Sequence, residues 1–385
     1  GTLHRRRGPG PGAAAAAGAE AGDAAPAAER IAEDAGLLSH GAGDAAPAAK
    51  RIAEEPRAAP VAVPRGRPAP RCGRRDPLRV VWDMETGDPD DVLTLLLLGA
   101  HPAVELRAVT VTPGSWEQVS LLRWLLLQMG LPEVRLGAQA WPANASKRDC
   151  LRGEFYASFG RVNKNKLRDC CEPAEKVLAE CCDAHTTLLT GGPLHNLGEA
   201  LRVGGFRLGR WVAQGGFAGE GVVPRELQME KFVGKVTCQT WNFNGNVEAA
   251  EAALASEAIN RKVLVSKNVC HRVTYDAALH QAFGAAAQEA ELRGQVQRAT
   301  ALRLLHGAMD SYQRSEGKKL HDPLALAVAL DESVCRLAEV RLFRDKHGWG
   351  SRLEGGTGTW ISVDYDDAAF RSALLGVEPL PRDPG

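Results

Sequence analysis

Apolar runs and helical patterns alternate along residues 77–385, and this alternation constrains the fold more than any other feature of the sequence. A strand followed by a helix, repeated many times, is typical of an α/β domain with a mostly parallel sheet. We therefore predict a Rossmann-like, mostly parallel open sheet with flanking helices in a single large domain. The predicted strands are 78–82, 104–112, 186–189, 211–214 and 263–266. The predicted helices are 90–100, 115–129, 173–182, one from residue 194, 248–256 and 324–330.

The first 76 residues have a different composition from the rest of the chain. All 21 aromatic residues lie in 77–385, whereas 9 of the 22 prolines lie in 1–76. A segment without aromatics buries too little surface to offset the entropy of ordering it. We predict a disordered low-complexity extension over 1–76 and a folded domain over 77–385. A cytoplasmic location is expected, and the Arg- and Ala-rich start leaves an organelle-targeting segment open as an alternative.

Charge and hydropathy exclude two classes of partner. The chain has 47 basic and 47 acidic residues, and nucleic acids or anionic membranes select a clear basic excess. No apolar run approaches the roughly 20 residues of a membrane span. We therefore expect neither a nucleic-acid polymer nor a membrane as partner.

An acidic loop directly follows the first predicted strand. Residues 83–91 read DMETGDPDD and contain five carboxylates. Ligands bind at the carboxyl ends of strands in such sheets, and crowded carboxylates suit a hard divalent cation. Gly87 and Pro89 favour a tight turn that brings the acids together. A solvated acidic loop is the alternative.

Two further segments lie next to predicted helices. Thr190-Gly-Gly-Pro-Leu-His-Asn follows the strand 186–189, and its glycines permit close approach of a ligand. His321-Asp322-Pro323 precedes an apolar helix. A His–Asp pair can combine a proton donor with a metal ligand, but Asp322 could instead cap the helix, with proline at its first position.

Together these segments resemble the nucleoside hydrolase family of the inosine–uridine type. Its opening signature, Asp-x-Asp-x-Gly-x-Asp-Asp, is matched here at Gly87, Asp90 and Asp91. Its Gly-Pro-Leu-Thr-Asn turn corresponds to 192–196, and its His-Asp-Pro-Leu-Ala motif to 321–325. The resemblance spans about residues 78–331.

The resemblance implies a calcium-dependent N-glycosidase that acts on a small-molecule ribonucleoside and releases base and ribose, as in purine or pyrimidine salvage. Either Glu85 or Asp88 would accept a proton from water, and His321 would protonate the leaving base. The implied calcium ligands are Asp83, Glu85, Asp91, the carbonyl of Thr190, and Asp322. The implied substrate contacts are Asp90, Ser115, Trp241, Asn242 and Asn244. Family members are often dimers or tetramers, and the sequence leaves a homo-oligomer open as one possibility.

The sequence departs from the family pattern at several of these positions. The first motif carries one extra residue, Asp88 or a neighbour, and its second acid is Glu85 instead of aspartate. Ser115 stands where the family has a ribose-contacting Asn, and Asn242 where it has Glu. These changes indicate a divergent branch. They motivate an alternative function, a non-catalytic ligand-binding or interaction protein that keeps the fold.

Overall fold

The computed structural model describes residues 76–139, 151, 154–159, 171–314 and 317–376 of the 385-residue chain. The extension predicted for the N-terminal segment, apart from Asp76, lies outside these residues, as does the targeting segment. The domain boundary at residue 77 stays a prediction.

The described strands and helices follow the predicted alternation. The strands are β1 Leu78–Met84, β2 Val104–Val111, β3 Arg135–Ala138, β4 Glu172–Pro173, β5 Thr187–Thr190, β6 Leu208–Gln214, β7 Thr237–Cys238, β8 Ile259–Val265, β9 Thr274–Tyr275, β10 Lys318–Lys319, β11 Cys335–Asp345, β12 Gly348–Leu353 and β13 Thr359–Tyr365. The helices are α1 Pro89–Ala100, α2 Trp116–Gln128, α3 Glu154–Ala157, α4 Ala174–Cys181, α5 His195–Arg202, α6 Trp241–Gly245, α7 Val247–Ala255, α8 Lys267–Cys270, α9 Ala277–Leu292, α10 Val296–Ala308, α11 His321–Leu330 and α12 Asp367–Leu375.

One large sheet organises the described residues. Its strand order is β4-β3-β2-β1-β5-β6-β8-β13-β11-β12-β7. All pairings from β4 to β13 are parallel, and those among β13, β11, β12 and β7 are antiparallel. Strands β9 and β10 form a separate antiparallel pair. The prediction of a mostly parallel α/β sheet is confirmed.

The core lies on both faces of this sheet, in two apolar layers. One layer includes α1, α2, α9 and α11, and the other includes α4, α5 and α7. Strand β1 lies between them and is buried from Val80 to Met84, as expected for a central parallel strand. Helix α1 is buried from Asp90 to Ala100, so the carboxylates at its N-terminus are also enclosed.

A local sequence signal explains the start of α2, and one prediction about α11 is corrected. Ser115 caps α2 and forms a capping box with Gln118, three residues further on. Helix α11 begins at His321, and its cap position is Leu320, two residues before Asp322. The alternative interpretation of Asp322 as a capping residue is therefore wrong.

The antiparallel part of the sheet and the α9–α10 helix pair had no counterpart among the sequence predictions. Within the described residues, none of the helices is both long and apolar enough to cross a membrane.

Candidate active site

The acidic loop and the glycine turn meet at the carboxyl end of the central strands. Strands β1 and β5 are parallel neighbours, with Asp83 opposite Thr190. The amide of Gly191 then donates to the carbonyl of Asp83 at 2.9 Å. The strand-end rule therefore located this edge of the sheet correctly from the sequence.

The two glycines of the turn permit close contact with the carboxylates. A Cβ atom on Gly191 would lie 2.6 Å from Oδ2 of Asp322 and 2.4 Å from the ring of Trp82. A Cβ atom on Gly192 would lie 3.0 Å from the backbone nitrogen of Glu85. A side chain at position 191 would displace the carboxylate, so glycine is required there by packing.

Three buried carboxylates converge beside this turn. One oxygen from each of Asp90, Asp91 and Asp322 lies within 4.8 Å of the other two. We call these residues the carboxylate triad. Asp90 Oδ2 accepts hydrogen bonds from the backbone amides of His321 (2.7 Å) and Asp322 (3.0 Å), which fixes the start of α11 against the acidic loop.

The three carboxylates differ in their electrostatic surroundings. Burial alone would raise the pKa of Asp90, but Lys318 and the amides of α11 outweigh it and hold that pKa below its usual value. Burial and then neighbouring carboxylates raise the pKa of Asp91 and of Asp322 well above the usual range. Ionisation of both Asp91 and Asp322 is therefore unfavourable unless a cation lies between them.

This donor set fits calcium, the metal that the family resemblance implies. The triad consists of oxygen ligands only, and all three side chains are buried. Calcium and magnesium prefer carboxylate and carbonyl oxygens. Because Gly191 lies so close to Asp322, the backbone around Gly191 also lies next to the Asp322 carboxylate.

Glu85 and Asp88, the two candidate bases, have different partners. The amide of Glu85 donates to Asp91 Oδ1 at 2.9 Å, and its carboxylate accepts from Nε1 of Trp241 at 2.8 Å. Burial raises the pKa of Glu85 to about 7. Asp88 caps α1 and lies 2.5 Å from Nζ of Lys318.

Lys318 is an enclosed cation at the site. Its side chain is 12% exposed, and its Nζ also lies 3.5 Å from Asp90 Oδ1. The acidic loop therefore folds onto Lys318 and encloses its charge.

The family follows from comparison of the whole chain with known proteins. Residues 80–370 match the family model described as "Inosine-uridine preferring nucleoside hydrolase". The chain belongs to this family. The prediction that it is an N-glycosidase of the nucleoside hydrolase class is thereby confirmed, whereas no curated protein sequence matches the chain.

Solved nucleoside hydrolases share the fold at low sequence identity. A purine-preferring ribonucleoside hydrolase from Gardnerella vaginalis is 16% identical, with a TM-score of 0.52 over 77% of this chain and 98% of that chain. A plant nucleoside hydrolase is 18% identical, with a TM-score of 0.55 over 79% and 100% of the two chains. An inosine-uridine preferring nucleoside hydrolase from Bacillus anthracis is 20% identical, with a TM-score of 0.51 over 78% and 99%.

Asp83 and Thr190, two candidate calcium ligands of this nucleoside hydrolase, are held by neighbouring side chains. Asp83 Oδ1 accepts from Thr110 (2.6 Å) and Asn196 (2.8 Å). Burial, despite these bonds, raises the pKa of Asp83 to about 6. The Thr190 hydroxyl accepts from Nε1 of Trp211 at 2.9 Å, which leaves its backbone carbonyl as the candidate ligand. Their roles as ligands stay predictions.

Three predicted substrate contacts of the nucleoside hydrolase are engaged within the protein. The Ser115 hydroxyl accepts from the Gln118 amide at the start of α2. The side-chain amide of Asn242 donates to the carbonyls of Gly191 (2.9 Å) and Gln214 (3.0 Å). Asn244 closes its own turn by accepting from the amide of Thr240 at 3.0 Å. Contact with a ribose stays a prediction for all three.

Two further ring systems lie next to the acidic residues, Trp241 and His321. Trp241 donates to Glu85 and is 67% exposed. His321 begins α11, and its Nδ1 is buried with no hydrogen-bond partner among the described residues. Burial, reinforced by Lys318, lowers the pKa of His321 to about 3, so its imidazole is neutral near pH 7.

Sequence reasoning missed two residues that hold the acidic loop of this nucleoside hydrolase. The Tyr156 hydroxyl donates to the carbonyls of Thr86 (2.8 Å) and Asp88 (3.3 Å). Gln118 donates from Nε2 to the Thr86 hydroxyl at 2.9 Å. Gln118 lies three residues after Ser115, at the spacing of a capping box, whereas no sequence pattern points to Tyr156.

Proposed function

We propose that this chain hydrolyses the N-glycosidic bond of a ribonucleoside in a calcium-dependent reaction and releases free base and ribose. The observation that carries this proposal is the carboxylate triad at the carboxyl end of β1, beside the glycine turn. Release of a free base suits purine or pyrimidine salvage. The homo-oligomeric state and the cytoplasmic location stay proposals from the sequence.

Asp91 and Asp322 are the best candidates to hold calcium, with the carbonyl of Thr190 beside them. Both carboxylates are buried next to each other, whereas Asp90 already has Lys318 and two amides as partners. A bound calcium ion supplies positive charge that orients water and the ribose hydroxyls.

We assign the general base to Glu85 in preference to Asp88. Burial raises the pKa of Asp88 to about 6, but its pairing with Lys318 at 2.5 Å opposes uptake of a proton. Glu85 has no such cation and contacts Asp91 through its own amide. Glu85 is half-buried and its partner Trp241 is exposed, so this pair lies nearer to solvent than the carboxylate triad.

His321 remains the candidate proton donor to the leaving base. A neutral imidazole carries one N–H group, which can donate a hydrogen bond to a purine or pyrimidine nitrogen as the glycosidic bond breaks. Its backbone amide is fixed by Asp90, so the ring starts from a defined position on α11.

The test is release of ribose from a panel of purine and pyrimidine ribonucleosides, with calcium and with a chelator. We expect turnover with calcium, a loss of at least about 100-fold in the Asp91→Asn variant, and little change in Glu291→Gln, whose carboxylate lies in an exposed ion pair. Equal background release by wild type and Asp91→Asn would refute the proposal.

The alternative is a non-catalytic binding protein with this fold. It is favoured by Asn242, whose amide is occupied by protein acceptors. Calorimetry separates the two, because binding of calcium and nucleoside without ribose release would support the alternative.

A further inference from the structure

A second set of metal-ligating side chains lies beside the carboxylate triad, and it contains sulfur and nitrogen instead of oxygen. Cys270 ends the short helix α8, His271 follows it, and His321 begins α11. One ligand atom from each lies within 4.8 Å of the other two. We call these residues the Cys–His–His cluster.

The cluster has the features of a site that a ligand could complete. The Nδ1 atom of His321 is buried and has no hydrogen-bond partner among the described residues. Its ring centroid lies 4.7 Å from that of His271. The Cys270 thiol is buried. Among the described residues it accepts from Nε2 of Gln214 at 3.4 Å and donates to the carbonyl of Lys267 at 3.8 Å, and both partners are electrically neutral.

We propose that the Cys–His–His cluster binds a divalent transition-metal ion of the zinc type. Thiolate and imidazole are the ligands that zinc prefers, and three protein ligands leave a fourth position for water. Calcium, which takes oxygen ligands, does not compete for sulfur. On binding, the Cys270 thiol loses its proton to solvent and the thiolate forms the metal–sulfur bond, with no change of oxidation state.

Lys231 opposes binding at this cluster. Its Nζ lies 3.2 Å from Nδ1 of His271. The ammonium group therefore occupies one of the two nitrogens of this ring and repels an arriving cation. The side chain is exposed and can move aside at a cost in affinity. Removal of this amine should therefore strengthen metal binding, whereas a merely structural role for the cluster predicts no such gain.

Binding would also affect the proposed reaction, because the cluster shares His321 with it. A metal ion on one nitrogen of this imidazole confines the proton to the other nitrogen and adds positive charge beside the leaving base, so zinc should change the rate of ribose release even with calcium in excess. This consequence rests on the proposed function, whereas metal binding itself does not.

The experiment is titration of the calcium-saturated chain with Co²⁺, a spectroscopic substitute for zinc. Binding is monitored by the near-ultraviolet charge-transfer absorption of a thiolate bound to cobalt. We expect one cobalt ion per chain and a thiolate band that zinc abolishes. Cys270→Ser should lose the band, whereas Cys238→Ser, which removes another free thiol, should keep it. His271→Gln should weaken binding by about tenfold or more, and Lys231→Met should strengthen it.

Each of these outcomes tests metal binding at the Cys–His–His cluster independently of the proposed hydrolase activity. A band that survives Cys270→Ser, or no gain of affinity in Lys231→Met, would overturn it. A band lost in Asp91→Asn would place cobalt at the carboxylate triad and would also overturn it. Circular dichroism checks the fold of each variant, and if Cys270→Ser does not fold, His271→Gln and Lys231→Met still decide. Ribose release with added zinc measures the consequence alone.

Discussion

Lys318→Met tests whether an internal cation stabilises the acidic loop. The variant removes the charge that faces Asp88 at 2.5 Å and Asp90 at 3.5 Å but keeps most of the apolar stem. At an effective dielectric constant of about 20, unit charges 3.5 Å apart attract by about 5 kcal/mol. Part of this attraction is offset by the cost of desolvating the charges.

Removal of one partner from a buried ion pair typically costs about 3–5 kcal/mol, because the other charge stays buried. Asp90 is buried, but the Asp88 side chain is 43% exposed and its share is screened by solvent. We therefore expect Lys318→Met to lower the free energy of unfolding by about 3 kcal/mol.

The assay is urea unfolding in the presence of a chelator, monitored by far-ultraviolet circular dichroism. Lys318→Arg keeps the charge and should recover most of the loss. Arg303→Met, which breaks an exposed pair with Glu291, should cost less than about 1 kcal/mol. Equal losses in Lys318→Met and Arg303→Met would show that Lys318 contributes no more than a surface charge.

Three further predictions concern His101, Gly191 and Tyr156, which lie outside the carboxylate triad. Burial lowers the pKa of His101 to about 4, so between pH 6.5 and 4 the unfolded chain binds a proton that the folded chain does not. The contribution of His101 to the free energy of unfolding should therefore fall by about 2 kcal/mol from pH 7 to pH 5. The His101→Gln variant, measured by urea unfolding, should not show this part of the pH dependence. Gly191→Ala places a Cβ 2.6 Å from Asp322 and should lower stability by about 1–3 kcal/mol and weaken the calcium-induced rise in melting temperature. Gly204→Ala, with open space at its Cβ, should leave that rise unchanged. Tyr156→Phe removes a 2.8 Å hydrogen bond to the acidic loop and should cost about 1 kcal/mol by thermal unfolding, with ribose release reduced if the loop shifts.

The position of the site could be predicted because its signals are local. Five carboxylates follow one apolar strand, and a glycine turn follows another. In a parallel sheet the carboxyl ends of neighbouring strands meet at one edge, so both segments had to converge there. The partners of each carboxylate could not be predicted in this way. Trp241 and Glu85, for example, are 156 residues apart in the chain and form a 2.8 Å hydrogen bond.

The sequence by itself determined the α/β class, the family and the set of acids proposed for the site, because periodicity and motif spacing are properties of neighbouring residues. Only the tertiary structure decided which of these acids lie together. Lys318, 228 residues from Asp90 in the chain, offsets the charge of Asp88 and Asp90. Asp91 and Asp322 are left adjacent and buried, without a cation at such distances among the described residues. Charge pairing depends on distances of a few ångströms, and the folded chain sets those distances between residues that the sequence separates.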